Sequence, residues 1–354
     1  MSESLQILLD TANRLFAEHF TAAELHRAAH GEWLADKWRL LEEFGLPLVL
    51  VGGADGDLGL TTEEGLALLR TAARFAVPLP LAETAFANHL LDLAGLTPAE
   101  GPASVAPVWA RDVLRLEPAE NGYRLTGSAH AVPWGRAAQT IVTVAELEGR
   151  PHIAAVPAGG WTLAEQGHGI AGLPADRLDF AATLPSERVR VLGDELPASV
   201  IRNGGAALRS IAIAGALQKI LEITIAYVGE RSQFGRTLSK FQVIQHDLAR
   251  IAAQSVAAGA AADLAAEAFA GGFDTLRIAA AKARAGEAAG IAAPLAHQLH
   301  GAIGVTEEYR LHYFTRQLWA SRDDFGSERE WNAVIGRAAL QQGAAGLWPF
   351  VTAL

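Results

Sequence analysis

Four carboxylates crowd a Phe-Gly pair in the stretch SRDDFGSERE, Ser321 to Glu330: Asp323, Asp324, Glu328 and Glu330. A carboxylate held against a bound substrate can remove a proton as a general base. The same four acids could instead sit in solvent at a helix N-terminus, where they complement the helix dipole. A second stretch with chemical potential is GERSQFGRTLSKFQVIQHDLARIAA, Gly229 to Ala253. One helical pattern ends there in a polar turn holding Arg231, Phe234 and Gly235, and another begins with Phe241, Gln242, Ile244 and Leu248 on its inner face. A glycine closing a helix would make such an αα-hairpin by itself. An arginine at its tip also offers a fork of donors for a phosphate or pyrophosphate oxygen, with Gln and Phe side chains beside it.

Other candidates carry less. His297 and His300 stand one helical turn apart, but no third ligand, HExxH motif or cysteine accompanies them, so no metal site is expected and a cap or cofactor-facing role fits better. GGADGDLGLTTEE, residues 52–64, lacks the Gly-Lys-Ser/Thr ending of a phosphate loop and the GxGxxG order of a dinucleotide turn, and it is expected to be an interhelical loop. Thr61 or Thr62 with Glu64 marks a helix start. No GxSxG elbow supports serine hydrolysis.

Three zones must position these residues. From Leu5 to about Leu96 apolar residues recur at helical spacing, broken at GLPLVLVGGADGDLGL and at VPLP. From about Val105 to Leu192 short β-prone runs (YRLTG, TIVTVAE, HIAAVP, WTLAEQ, RLDFAATL, VRVL) alternate with turn signals such as Asn121-Gly122, which predicts a small antiparallel barrel or sandwich. Helical periodicity then returns at about 204–230, 241–271, 274–300 and 328–346. The expected fold is mainly α with a middle β domain: a helical domain over 1–100, a β domain over 101–196 and a four-helix bundle over 197–354.

The composition excludes several function classes. A net charge of −10 disfavours nucleic acid and anionic membrane surfaces. No cysteine is present, so neither a disulfide framework nor a thiolate nucleophile is available. The N-terminus lacks the pattern of a signal peptide, no run of about 20 residues looks apolar enough to span a bilayer, and a cytoplasmic location without membrane insertion is expected. The apolar breadth of Leu217, Ile220, Leu221, Ile223 and Ile225 exceeds one helix face and predicts an oligomer.

The hairpin resembles that of the acyl-CoA dehydrogenase family, R-x-x-F-G followed by an F/H-Q helix. A second family element, Q-x-x-G-G-x-G, is similar to Gln298-Leu299-His300-Gly301-Ala302-Ile303-Gly304, with Ala302 in place of the second glycine. Domain order and the phrases ENGYRLTG and RLDFAATLPSERVRVLG extend the resemblance over the whole chain. It implies an FAD-linked α,β-dehydrogenation of an acyl-CoA thioester, assembly as a dimer of dimers and an electron-transfer flavoprotein as acceptor. It also implies FAD contacts from Arg231, Gln233, Phe234, Gln242, Gln298, Gly301 and Gly304, with the hairpin reaching the FAD of a neighbouring subunit.

The chain departs from the family's pattern in further places. The T-E-P-x-A-G-S-D loop is not recognisable between Gly101 and Asn121. Pro133 stands where a Thr usually meets the flavin ring. The usual base lies in an E-G-T/S motif, and counting from Gln298 aligns Gly326 and Ser327 with its last two residues and puts Phe325 at the base position. A second base position used by some members falls near Gly205, where no acid is present. Three readings follow: a base-less subunit of a heteromeric enzyme, a displaced base at Asp324, and a structural partner that binds no flavin.

Overall fold

The computed structural model describes residues 3–52 and 58–352, so residues 53–57 of the Gly-rich stretch lie outside the described residues. The first helices are α1 (Glu3–His19), α2 (Ala22–Ala29), α3 (Ala35–Glu43), α4 (Thr62–Ala73) and α5 (Leu81–Leu93). Two of them start on reciprocal capping boxes, Thr21 with Glu24 and Thr61 with Glu64. In each the Thr hydroxyl accepts from a backbone N–H of the first turn while the Glu carboxylate accepts from the Thr N–H, satisfying donors that a helix start otherwise leaves open. The helix start expected at Thr61 is thus present.

Eight strands follow: β1 (Ala103–Ala106), β2 (Leu114–Ala119), β3 (Gly122–Pro133), β4 (Thr140–Leu147), β5 (Arg150–Pro157), β6 (Trp161–Glu165), β7 (Ala175–Leu184) and β8 (Val189–Val191). They form one sheet in the order β6-β7-β3-β2-β4-β5-β8, with β1 joined to β4. The β4–β5 turn is made by Glu148 and Gly149, both at positive φ, as a two-residue hairpin loop of the primed kind requires. The sheet is not purely antiparallel as expected. β1 runs parallel to β4 and β2 meets β4 in parallel at Arg115 and Glu146. Only the hairpins carried turn signals; a parallel pairing is closed by tertiary packing and has no short-range mark.

The last part comprises α6 (Val200–Glu230), a two-residue hairpin β9 (Ser232–Gln233) and β10 (Arg236–Thr237), α7 (Gln242–Ala270), α8 (Thr275–His300), α9 (Leu311–Asp323) and α10 (Glu328–Thr352), the last broken at Gly343. Helix α9 was not anticipated. Its buried Leu311, Phe314 and Leu318 give only a short stripe among polar residues. Ser327 immediately precedes α10, and its N–H and hydroxyl both meet the Glu330 carboxylate.

One hydrophobic core runs from the N-terminal helices through one face of the sheet into the bundle, and a second lies on the sheet's other face around Leu125, Ile141, Leu178 and Phe180. α6 stands at the centre of the first. Contrary to the expectation from sequence, this helix is long and apolar enough to cross a membrane by length and composition. More than half of its most apolar window is buried within the protein, and a helix packed on every side is apolar on every side. For the same reason the apolar breadth around Leu217 is no signature of an oligomer: Leu217, Ile220 and Ile223 are buried within the chain itself, and of the five residues only Ile225 is exposed.

Candidate functional site

A cavity opens where the three parts of the chain meet. Its walls come from the Val77–Glu83 segment, the end of β3 (Ala131, Pro133, Trp134), the Gly169–Ala175 loop, α6 (Leu208, Arg209, Ile211) and the end of α9 (Gln317, Ser321, Asp324). The end of β3 is anchored by Arg136, whose guanidinium forks onto the fully buried Asp176 of β7. The volume is about 130 Å³, below the ~300–1,000 Å³ of a typical small-molecule pocket. The space is tight for a ring system and a thioester together.

Arg209 dominates this site. Its Nη2 donates to Glu83 Oε1 at 2.7 Å and its Nε to Asp324 Oδ2 at 3.0 Å. Burial works against the guanidinium charge, but Glu83 and then Asp324 outweigh it and hold the pKa above the ordinary arginine value. The cation therefore persists with both carboxylates as counter-ions. Glu83 is itself buried, which is tolerable because it is paired.

Asp324 and Phe325 both meet Arg209, one through its carboxylate and the other through its ring. Asp324 ends α9, its N–H donating to Ala320 O, and its side chain faces the cavity and Arg209. Phe325 adopts φ 55°, a left-handed conformation uncommon for a bulky side chain, and is 3% exposed. Its ring lies over Gly205 of α6: a Cβ added at Gly205 would meet the ring at 2.2 Å. The two positions at which the resemblance places a base are thus in contact, one holding a phenyl ring and the other no side chain.

The loop around Phe325 is pinned from beneath. Lys282 of α8 is fully buried and donates to Arg322 O at 2.7 Å and Gly326 O at 2.9 Å, while Trp331 Nε1 donates to Phe325 O at 3.1 Å. Burial pushes the Lys282 pKa down to about 8, against the pull of Asp324 and Glu328. The acids of this stretch accordingly divide. Glu328 and Glu330 lie in the first turn of α10, with Glu328 bound to Arg322 at 2.6 Å, whereas Asp323 and Asp324 close α9 and are not part of a helix N-terminus.

At the place of the family's T-E-P-x-A-G-S-D loop, Pro107–Asp112 holds a cluster of paired side chains that also borders a cavity of about 450 Å³. Trp109 stacks on His130 at 4.9 Å with an interplanar angle of 4°, Arg111 lies over the same indole at 4.2 Å, and Asp112 accepts from the His130 N–H at 2.7 Å while its other oxygen meets the ring nitrogen at 2.9 Å. These side chains satisfy one another.

The expected FAD-contacting residues occupy the other end of the bundle. Phe234 and Gly235 form the two-residue turn between β9 and β10, both at positive φ, and the turn leaves the Phe234 ring 90% exposed. Arg231, Gln233, Gln242 and Gln298 are exposed as well, and Arg231 forms no ion pair among the described residues. Tyr227 brings the two family elements side by side, stacking on His300 at 4.5 Å and donating to the His300 carbonyl at 3.2 Å. Gly301 has φ 65° in an exposed turn. Gly304 is buried beneath His297, His300 and Leu311, so its lack of a side chain serves packing. His297 meets Thr315 Oγ1 at 2.8 Å and His300 Nδ1 donates to Ala296 O at 2.7 Å. An FAD pyrophosphate would fit this exposed end, with its guanidinium, amides and aromatic ring.

Sequence reasoning missed Glu83, Arg209 and Lys282. Glu83 and Arg209 are each a lone charge within an apolar helical run, and that oddity was the available signal; Lys282, with Arg284 two residues on, carried none.

Comparisons with known proteins agree with this architecture. Residues 203–328 match the family described as acyl-CoA dehydrogenase, C-terminal domain. The chain is 28% identical over 336 residues to acyl-CoA dehydrogenase IpdE2 of Mycobacterium tuberculosis, covering 93% of this chain and 95% of that protein. Among solved structures it is similar to the Tcur3481-Tcur3483 steroid ACAD, with a TM-score of 0.85, 25% identity and coverage of 97% of this chain and 99% of that one. It also shares its fold with the ChsE4-ChsE5 complex from Mycobacterium tuberculosis, with a TM-score of 0.80, 20% identity and coverage of 95% and 97%. The match over residues 203–328 and these full-length likenesses make the chain similar to acyl-CoA dehydrogenases from its N-terminal helices to its bundle.

Proposed function

We propose that this chain is a base-less subunit of a heteromeric acyl-CoA dehydrogenase. A related second subunit supplies the carboxylate that takes the α-proton of the acyl-CoA thioester, and this chain lends Arg231, Gln233, Phe234, Gln242, Gln298 and Gly301 to an FAD seated largely on that partner. The observation that carries this reading is the Phe325 ring packed over Gly205. A phenyl ring accepts no proton, and while it lies there Gly205 has no room for a carboxylate. Bound FAD would accept the hydride from the β-carbon; the family resemblance makes an electron-transfer flavoprotein the next acceptor. The hyphenated pairs named in the two solved relatives support a two-chain assembly. So do the solvent-facing apolar residues of the bundle, Val243, Val256, Leu340 and Trp348.

One observation favours a second reading, in which Asp324 is a displaced base: its carboxylate does face the junction cavity. Arg209 already engages one of its oxygens, which limits its freedom to approach a substrate. Asp324→Asn separates the two. Flavin reduction by a panel of acyl-CoAs, measured anaerobically on the assembled complex at matched FAD occupancy, should stay near wild type. A fall of the ~10²–10⁴-fold typical of a lost general base would reject the proposal. Flavin absorbance of the chain alone and with its partner tests the third reading, a structural subunit without flavin: if the complex carries FAD but loses none on Arg231→Ala, the chain lends it nothing.

A further inference from the structure

We infer that His26, His30 and Glu307 form a binding site for a divalent transition-metal ion of the zinc class, joining α2 to the turn that leads into α9. Each side chain offers one ligand atom, and the three atoms lie within 4.8 Å of one another. The site is remote in character from the cavity chemistry: it holds no substrate-facing group and no residue of the flavin end.

Three features support a built arrangement. His26 and His30 are one helical turn apart with ring centroids 4.2 Å from each other, the i,i+4 spacing that turns two imidazoles to one side of a helix. His30 Nδ1 lies 2.9 Å from the His26 carbonyl. A carbonyl only accepts, so Nδ1 carries the hydrogen and Nε2 keeps its lone pair for a metal, the orienting bond that metal-ligating histidines ordinarily make. The third ligand comes from the other end of the chain, with Glu307 Oε2 3.8 Å from His26 Nε2. Two adjacent histidines alone would be a common surface accident; a carboxylate brought to them by the tertiary fold completes a three-ligand set.

The donor set also defines the ion. Two imidazoles and one carboxylate suit zinc, nickel or copper, whereas magnesium and calcium prefer oxygen alone. Bond lengths of about 2.0–2.2 Å would require the ligand atoms to draw together by roughly 1 Å. All three side chains are exposed, so rotamer adjustment achieves this without moving the backbone. Three protein ligands leave a fourth position for water. Structurally, the ion would clamp the N-terminal helices to α9, which already holds the Ile170 carbonyl through Arg316 and whose far end presents Ser321 and Asp324 to the cavity.

The test is calorimetric titration of tag-free, metal-stripped full-length protein, with its partner subunit if the two co-purify, using zinc chloride in a non-chelating buffer and thermal melts alongside. We expect one binding event per chain and a rise in melting temperature with zinc, because an ion that binds only the folded state stabilises it. Both should be lost in His26→Ala and His30→Ala and weakened in Glu307→Gln, while magnesium chloride produces neither. Because the three residues are exposed, the metal-free variants should melt with wild type, which separates lost binding from lost folding. Absence of a one-per-chain event, or its survival in the His26→Ala, His30→Ala double variant, would overturn the inference.

Discussion

Two arginines 22 positions apart, one within α6 and one at its C-terminal end, have opposite fates. Arg209 is buried between Glu83 and Asp324, with Phe325 5.4 Å beneath its guanidinium. Arg231, at the C-terminal end of the same helix, stands exposed at a hairpin tip with no ion-pair partner among the described residues. A charge already neutralised inside the fold stabilises structure; a charge left open at a shaped surface awaits a ligand. The junction cavity is therefore the internally satisfied end of this molecule, and the hairpin is its open end. In the proposed assembly the chain gives binding groups and receives the base.

The largest effect should come from breaking the satisfied end. Arg209→Met leaves the buried Glu83 unpaired and should cost about 3–5 kcal/mol in a urea denaturation series, the range for a buried pair that loses one partner. Asp324→Asn should cost far less, because its side chain is 36% exposed and water can replace the contact. Equal losses from the two variants would mean that Glu83 is not the partner that matters.

Next in size is the contact between Gly205 and Phe325. Gly205→Ala forces a methyl into the ring and should destabilise by roughly 1–3 kcal/mol, as overpacking does. In a Phe325→Ala background the same change should cost much less, since the obstructing ring is gone. Strict additivity in this double-mutant cycle would show that the two positions do not touch.

Lys282 gives a pH signature. Its folded pKa of about 8 lies below the ordinary value of 10.5, so between those two pH values the unfolded chain holds a proton that the folded chain has released. Unfolding then takes up a proton, and stability rises with pH across that window. The rise in unfolding free energy above pH 8 should be absent in Lys282→Met. A flat profile in wild type would place the ammonium in a more hydrated setting.

The smallest effect on stability is expected at the open end. Arg231→Ala should leave the denaturation midpoint where it was, since surface substitutions usually fall within about ±0.5 kcal/mol. Flavin content of the purified complex should nonetheless drop. Loss of stability with flavin retained would reverse the contrast between the two arginines.

Much of this protein is written locally. The helix, sheet, helix order follows from a change of hydrophobic period, and the starts of α2 and α4 follow from Thr and Glu three residues apart. The hairpin tip follows from a polar interruption ending in Gly235. Helix α9 escaped because its apolar stripe is short and mixed with His, Arg and Gln, and the parallel β1–β4 pairing escaped because no turn announces it.

What the sequence by itself determined is which residues have reactive or binding chemistry and which lack it: Phe325 at an expected base position, no acid near Gly205, Arg231 in a turn. The tertiary structure alone decided how those residues are spent. Arg209 reaches Asp324 across 115 positions and Glu83 across 126, and the Phe325 ring, in the turn between α9 and α10, meets Gly205 of α6. Periodicity, caps and turns are properties of neighbours along the chain, so they can be read in order. Ion pairs and ring contacts between distant segments depend on how helices cross, and only packing brings those partners together.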